Sequence, residues 1–120
     1  MGLIGGAADG VVGGVPLPDD GRVYVDRDKP LPLVVVNQDY PDYPERELAR
    51  RNQATVVVRY VVGTDGWLKD LNILHHAEQA AFDEATLKAL RRWRFVPMKK
   101  NGKLVEVVHE LTVFFKIVAQ

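Results

Sequence analysis

GKLVEVVHELTVFFKIV, residues 102–118, is the stretch that decides the fold. From residue 111 onward, apolar side chains stand at alternate positions: Leu111, Val113, Phe115 and Ile117. This alternation of β-branched and aromatic residues predicts a strand with one buried face. A strand over residues 105–117, at about 3.3 Å per residue, would span about 40 Å, which is long for a small domain. Because a strand that outreaches its neighbours leaves backbone groups unpaired, we predict a docking edge here.

The composition predicts one compact domain and a tail. The 120 residues are 47% hydrophobic and 27% charged, which is ordinary for a soluble globular protein. The glycine- and valine-rich start predicts that residues 1–28 are a flexible tail or the end of a spacer, and that residues 29–120 form the domain. Because the formal net charge is +0, neither nucleic acid nor direct attraction to an anionic membrane is expected.

The sequence carries no sign of a cofactor or of an export segment. It has no cysteine, which excludes disulfides, thiolate metal sites and a cysteine nucleophile. No apolar run approaches the roughly 20 residues that cross a bilayer. The first residues, MGLIGG, lack the charged region and the apolar core of a signal peptide. Any membrane anchor is therefore expected in a segment outside this sequence.

Two further strands are predicted as a hairpin. Residues 54–62 (ATVVVRYVV) are almost continuously apolar, which favours a central strand. The pair Asp65-Gly66 is typical of a tight turn, and residues 67–74 (WLKDLNIL) return as the second strand.

Two helices flank this hairpin in the chain. Residues 43–51 (YPERELARR) predict a short helix with Pro44 at its first position. Residues 82–93 predict the main helix, with Asp83 as its N-cap. Its predicted structural core residues are Phe82, Leu87, Leu90 and Trp93.

The order helix, strand, strand, helix, strand predicts an α+β fold. A hairpin followed by a helical crossover makes the last strand parallel to the second if both flank the first. The predicted sheet is three-stranded and mixed, in the order 2-1-3, with two helices packed on one face. Its last strand is an edge, so a proline at Val113 is expected to remove an edge donor.

Several motifs along residues 29–118 occur together in one known family. They are Tyr43-Pro44-Glu45-Arg46, Thr55-Val56-Val57, Asp65-Gly66, Phe82-Asp83-Glu84-Ala85 and Leu90-Arg91-Arg92-Trp93-Arg94-Phe95-Val96-Pro97. The last block is the most specific, because Asn101-Gly102-Lys103 and Phe115-Lys116-Ile117 follow it. Together they resemble the C-terminal domain of TonB-family energy transducers. Ala54 and Asn52 depart from the family, which usually has glycine and an apolar residue there.

The resemblance implies a periplasmic adaptor without catalytic residues. Such a domain is anchored in the inner membrane through an N-terminal part that this sequence lacks. There it is coupled to a proton-driven motor of the ExbB/ExbD type. It binds the TonB box of an outer-membrane receptor and transmits force for the uptake of siderophores, vitamins or metal complexes.

The resemblance also implies two partner-binding segments. The first is the edge strand, to which the TonB box adds as a further strand; it comprises His109, Glu110, Leu111, Thr112, Val113, Phe114, Phe115, Lys116 and Ile117. The second precedes the first helix and comprises Asn37, Gln38, Tyr40, Pro41 and Tyr43.

Other functional interpretations of single residues are weaker. His75 and His76 are adjacent, so on a strand they point to opposite faces and make a poor metal site. His109 is expected to be an exposed strand residue, and Trp93 a core residue. No residues are predicted to be catalytic, to bind a metal or to hold a cofactor.

Three alternatives stay open. The long edge strand predicts self-pairing in a homodimer as well as docking. A second alternative is a TolA-like or cell-wall-associated structural module of the envelope on the same fold. A regulatory sensor domain that reuses the TonB-like fold is the third.

Overall fold

The main sheet is centred on the strand Ala54–Val62 (β3). A computed structural model describes residues 20–118 of the chain. In it, β3 pairs antiparallel with Leu68–His75 (β4) on one side and with Val107–Phe115 (β8) on the other. β3 has the predicted boundaries because its apolar run is uninterrupted except at Arg59. Its alternate residues enter the core: Val56, Val58, Tyr60 and Val62.

A fourth strand extends the sheet beyond β8. Val23–Tyr24 (β1) pairs in parallel with the start of β8, so the order is β1-β8-β3-β4. The prediction of three strands in the order 2-1-3, with the last strand as the edge, was wrong because β1 is a fourth strand and lies beyond β8. The three predicted strands themselves are neighbours in the predicted order, as β4-β3-β8. A strand of two residues is too short to show an alternating pattern. β1 also lies within residues 1–28, which were predicted as a tail, so folded structure begins before residue 29. Residues 1–19 of that predicted tail lie outside the described residues.

The predicted long strand over residues 105–117 is two strands. Lys103–Val105 (β7) pairs antiparallel with Met98–Lys100 (β6), and β8 begins after Glu106. Asn101 and Gly102 connect β6 to β7 with φ angles of 54° and 79°. Positive φ at both positions is the geometry of a tight hairpin turn, as the Asn-Gly pair predicts.

A second small sheet flanks the main one. Val35–Asn37 (β2) pairs antiparallel with Arg94–Phe95 (β5). Gly66 lies beside this pair, and its carbonyl accepts a hydrogen bond from the N–H of Phe95 at 2.9 Å. Its φ is +87°, and a Cβ there would lie 2.0 Å from the Phe95 carbonyl oxygen. Only glycine therefore fits the turn between β3 and β4.

The main helix begins earlier than predicted. It spans Ala80–Leu90 (α2) with Gln79 as the N-cap residue. Asp83 lies in the first turn, where its carboxylate accepts a bond of 3.0 Å from the N–H of Ala77. The short helix Glu45–Ala49 (α1) begins after Pro44, which is its N-cap residue. Neither described helix has the length and apolar character needed to cross a membrane.

The core lies between β3, β8 and α2. Phe82, Leu90 and Trp93 are buried in it, as predicted, but Leu87 is only half-buried and lies outside this cluster. Thr86 is buried instead, because its hydroxyl donates to the carbonyl of Phe82 at 2.9 Å. This hydrogen bond within the helix offsets the cost of removing the hydroxyl from water.

Candidate functional site

The outer flank of β8 is covered at its start and open further along. The N–H groups of Val23 and Val25 donate to the carbonyls of Glu106 and Val108, each at 2.9 Å. Backbone groups alternate in direction along a strand, so the outward-facing groups further along belong to residues 110, 112 and 114. The N–H of Val113 points to β3, where Val113 pairs with Val56. The expectation that a proline at Val113 would remove an edge donor was therefore wrong.

The side chains of β8 alternate as the sequence predicts. Leu111, Val113 and Phe115 face the helices and pack in or against the core. Phe114 is on the opposite face and is 59% exposed, with the ammonium of Lys116 5.0 Å from the centre of its ring. The strand therefore presents an apolar row toward the helices and an exposed aromatic ring on the other face.

A groove of about 380 Å³ runs beside the open part of β8. It brings together most residues of the two predicted binding segments. Its lining consists of Gln38, Tyr40, Pro41, Tyr43 and Trp93 together with residues 111–116. Tyr40 is 87% exposed, so its ring is free to contact a partner.

The wall opposite β8 is held by residues that follow α2. The indole N–H of Trp93 donates to the carbonyl of Asp39 at 2.6 Å. The side-chain amide of Asn37 donates to the carbonyl of Arg92 at 2.8 Å. Asn37, predicted as a partner-binding residue, does not line the groove, and its side chain helps to position the wall.

Tyr43 fixes the far end of this wall. Its ring packs edge-on against Phe82 and Phe115, with ring centres 5.7 Å apart in both pairs. Its hydroxyl donates to the carbonyl of Asn52. Because both the ring and the hydroxyl are satisfied inside the protein, Tyr43 offers a partner only the side of its ring that lines the groove.

His109 is buried, with 6% of its surface exposed, so the prediction of an exposed residue was wrong. The Tyr60 hydroxyl donates to Nδ1 of His109 at 2.8 Å, and the Nε2–H donates to the carbonyl of Lys29 at 2.9 Å. Burial raises the pKa of Tyr60, which keeps its hydroxyl protonated as the donor. Both ring nitrogens are therefore used inside the protein, and the His109 side chain cannot contact a partner.

Two glutamates at the start of β8 and within it also form ion pairs inside the protein. Glu110 accepts two bonds from the guanidinium of Arg27, at 2.7 and 2.5 Å. Glu106 bonds the ammonium of Lys69 and the guanidinium of Arg22, the latter at 2.9 Å. The hydrogen bond from Lys69, reinforced by Arg22, lowers the pKa of Glu106. Both carboxylates hold the segment before residue 30 rather than face the groove.

The remaining polar clusters offer little chemistry. His76 Nδ1 lies 2.7 Å from the Asp83 carboxylate on the surface. In residues 20–118, no three His, Cys, Asp or Glu side chains converge as metal ligands would. What the described site offers is an open strand edge with an apolar groove beside it, which is the geometry of peptide capture.

Comparison with known proteins identifies the domain. The profile of the family described as "Gram-negative bacterial TonB protein C-terminal" matches residues 39–117. The chain is 32% identical over 82 residues to the protein TonB of Pseudomonas aeruginosa, covering 68% of this chain and 24% of that protein. It is 30% identical over 82 residues to the protein TonB of Escherichia coli, covering 68% of this chain and 32% of that protein. The match thus spans about a quarter to a third of these relatives.

The fold agrees with solved structures. The solution structure of the Pseudomonas aeruginosa TonB C-terminal domain superposes with a TM-score of 0.67 at 27% identity, covering 80% of this chain and 96% of that one. The TonB2 protein of Vibrio anguillarum superposes with a TM-score of 0.57 at 22% identity, covering 88% of this chain and 92% of that one, which shows the fold alone. Because the family profile matches most of this chain, the chain belongs to the TonB C-terminal domain family.

Proposed function

We propose that this chain is the receptor-binding end of a TonB energy transducer, and that the TonB box of an outer-membrane receptor adds to β8 as a further strand. The observation that carries this proposal is the open outer flank of β8 around Thr112 and Phe114, which lies directly beside the apolar groove. Unpaired backbone groups would give the affinity, and the groove would give the selectivity.

The regularity of β8 supports it as the docking edge. It pairs with β3 over nine consecutive residues, from Val107 to Phe115, without a shift in register. A straight strand presents its outward N–H and C=O groups at even spacing, so an added strand meets them in line.

By contrast, β4 at the opposite edge of the sheet is protected against pairing with another strand. The register between β4 and β3 shifts twice, and Asp70 within β4 has a φ of 51°. Bulges twist an edge strand and interrupt its row of backbone groups.

The groove favours a partner with apolar residues at alternate positions. Every second side chain of an added strand would point to the helix side, toward Leu111, Val113 and Tyr43. The exposed ring of Tyr40 would close over these side chains from the opposite wall. The side chains on the other face would pass Phe114, which is open to solvent.

The mechanical role follows from this geometry. Ladder hydrogen bonds contribute a net ~0.5–1.5 kcal/mol each, and ordering a flexible peptide offsets part of that gain. Affinity should therefore be modest. A pull along the strand direction loads the bonds in shear together, so a weak complex would still transmit force. Backbone pairing tolerates many sequences, which would let one transducer serve several receptors.

The wider assignment rests on the family. We place the domain in the periplasm, anchored to the inner membrane by a segment outside this sequence and driven by an ExbB/ExbD-type motor. Its role would be the uptake of siderophores, vitamins or metal complexes, without catalysis by this domain.

Amide shifts in the isotopically labelled 120-residue chain test the proposal. Titration with a synthetic TonB-box peptide from a receptor of the same organism should shift the amides of residues 110–115 most. A matched peptide with proline at its central position should bind less, because it lacks a ladder donor. Shifts confined to β4, or no shifts at millimolar peptide, would count against the proposal. Shifts that also arise on raising the protein concentration alone would indicate pairing of β8 with a second copy.

A further inference from the structure

We infer that residues 22–31, called the strap below, form a fixed stop on the docking edge and set the register at which a partner strand pairs with β8. This inference rests on the proposed function. Arg22, Val25, Arg27 and Lys29 hold the strap on β8, and the strap limits which residues of β8 a partner can reach.

The strap occupies the row that an added strand would take. β1 lies on the outer flank of β8, where Val23 and Val25 donate to the carbonyls of Glu106 and Val108. A backbone carbonyl that already accepts a ladder bond from β1 is not available to a second strand in the same row. A partner on this flank must therefore stop where the strap leaves it.

The strap turns away from the outer flank of β8 at residues 26–29, and side chains on both faces of the sheet bond to this turn. The turn closes with the N–H of Lys29 donating to the carbonyl of Asp26 at 3.1 Å. On one face, Arg27 holds the carboxylate of Glu110. On the other face, the Lys29 carbonyl accepts from the buried ring of His109. Because neighbouring side chains of β8 point to opposite faces, these two ties hold the turn across the strand edge itself.

The groove ends against this turn. A second cavity of about 390 Å³ lies between strap residues 27–31 and β8. It shares Gln38, Trp93, Leu111 and Thr112 with the docking groove. The two cavities therefore adjoin along β8, and the strap forms the wall of the second one. Val23, Val25 and Leu31 also pack against the core, which anchors the strap by burial as well as by polar contacts.

The consequence is a short docking window. It begins after Val108, the last residue of β8 whose carbonyl accepts a bond from the strap, and offers the outward groups of Glu110, Thr112 and Phe114. A partner segment that extends past this window toward the strap would gain no further ladder bonds. Receptors would then be distinguished by about five residues and not by a longer segment.

Three peptides test the stop with the full 120-residue chain. The first is a TonB-box peptide of about five residues, and the others carry three additional residues at either terminus. Each is measured by fluorescence anisotropy against the unaltered chain, Val25→Pro and the double variant Arg22→Ala/Arg27→Ala. Val25→Pro removes the donor to Val108, and the double variant removes both arginine ties without touching the core. Arg50→Ala, an exposed arginine at the end of α1, is the matched control.

The expected result is tighter binding of an extended peptide, and only by the variants in which the strap is released from β8. One of the two extended peptides should bind Val25→Pro about tenfold more tightly than the short peptide does, as two added ladder bonds would give. The double variant should show a smaller gain of the same sign, and it serves alone if Val25→Pro fails to fold. The unaltered chain and Arg50→Ala should bind that extended peptide no more tightly than the short one.

Two other outcomes are separable. If the short peptide binds every variant and the extension has the same effect on all of them, the strap is not a stop, and the proposed function stands. If no peptide binds any variant, strand addition itself is contradicted, and the stop falls with it.

Discussion

Tyr60 and His109 lie directly opposite each other on β3 and β8, and their side chains form a buried hydrogen bond of 2.8 Å. Their rings meet edge-on with centres 5.7 Å apart. Because the Tyr60 hydroxyl donates to Nδ1, the proton of His109 is on Nε2, which donates to the carbonyl of Lys29. A continuous chain of bonds thus connects the central strand of the sheet to the segment that covers the start of its edge.

Removing the Tyr60 hydroxyl should destabilise the fold. Tyr60→Phe leaves Nδ1 of His109 buried without a donor, which should lower the free energy of unfolding by about 1–3 kcal/mol. His109→Ala should cost more, because it also removes ring packing and the tie to Lys29. Urea unfolding of both single variants and the double variant gives their coupling energy. Strictly additive effects would mean that the hydrogen bond contributes nothing.

Alanine substitutions at two apolar positions on α2 should lower the free energy of unfolding by very different amounts. Phe82 is fully buried, and its ring centre lies 4.9 Å from that of Phe115, so Phe82→Ala should lower the free energy of unfolding by about 3–5 kcal/mol. Leu87 is only half-buried, so Leu87→Ala should cost about 1 kcal/mol. Alanine suits a helix at both positions, so the contrast reports packing. Chemical denaturation checks it, and equal losses would contradict the described core.

Local patterns in the sequence predict the local elements well. The run 54–62 predicts β3 because β-branched residues prefer an extended, packed backbone. The pairs Asp65-Gly66 and Asn101-Gly102 mark the hairpins because positive φ is needed there. The alternation in residues 111–115 predicts which side chains of β8 turn to the helices.

Contacts between distant residues escape such patterns. β1 is held by Arg22 on Glu106 and by Arg27 on Glu110, more than 80 residues further along the chain. No local periodicity encodes those pairings. The burial of His109 does have a signal, because it is in phase with Leu111 on the inward face. A polar residue on that face requires a partner, and Tyr60 is in phase with the inward residues of β3.

Proline at two neighbouring positions of β8 should have opposite effects. The N–H of Thr112 points outward, so Thr112→Pro should leave the sheet folded and weaken binding of a TonB-box peptide about tenfold or more. The N–H of Val113 points toward β3, so Val113→Pro should break the ladder and lower the melting temperature strongly. Thermal unfolding and peptide titration of both variants separate the effects. Equal binding by Thr112→Pro and the unaltered chain would contradict docking on this flank.

The ion pairs of Glu106 should make the start of β8 sensitive to acid. The ammonium of Lys69 and the guanidinium of Arg22 lower its pKa in the folded state from the ordinary value of 4.5. A carboxyl group with a lowered folded pKa stabilises the fold fully above its unfolded value. That stabilisation is lost as the pH falls through the folded value. Asp70, whose carboxylate lies 4.0 Å from Arg22, is the other acidic group at this cluster.

Glu106→Gln should therefore be less stable than the unaltered chain near neutral pH, and the difference in the free energy of unfolding should shrink as the pH falls. Urea unfolding at a series of pH values from about 7 to about 3 measures it. The difference at neutral pH should also shrink in about 1 M salt, because exposed ion pairs are screened. Glu84→Gln, an exposed position on α2, controls for the loss of one negative charge. A difference that did not shrink at all across this pH series would mean that Glu106 does not stabilise the fold through the charge of its carboxylate.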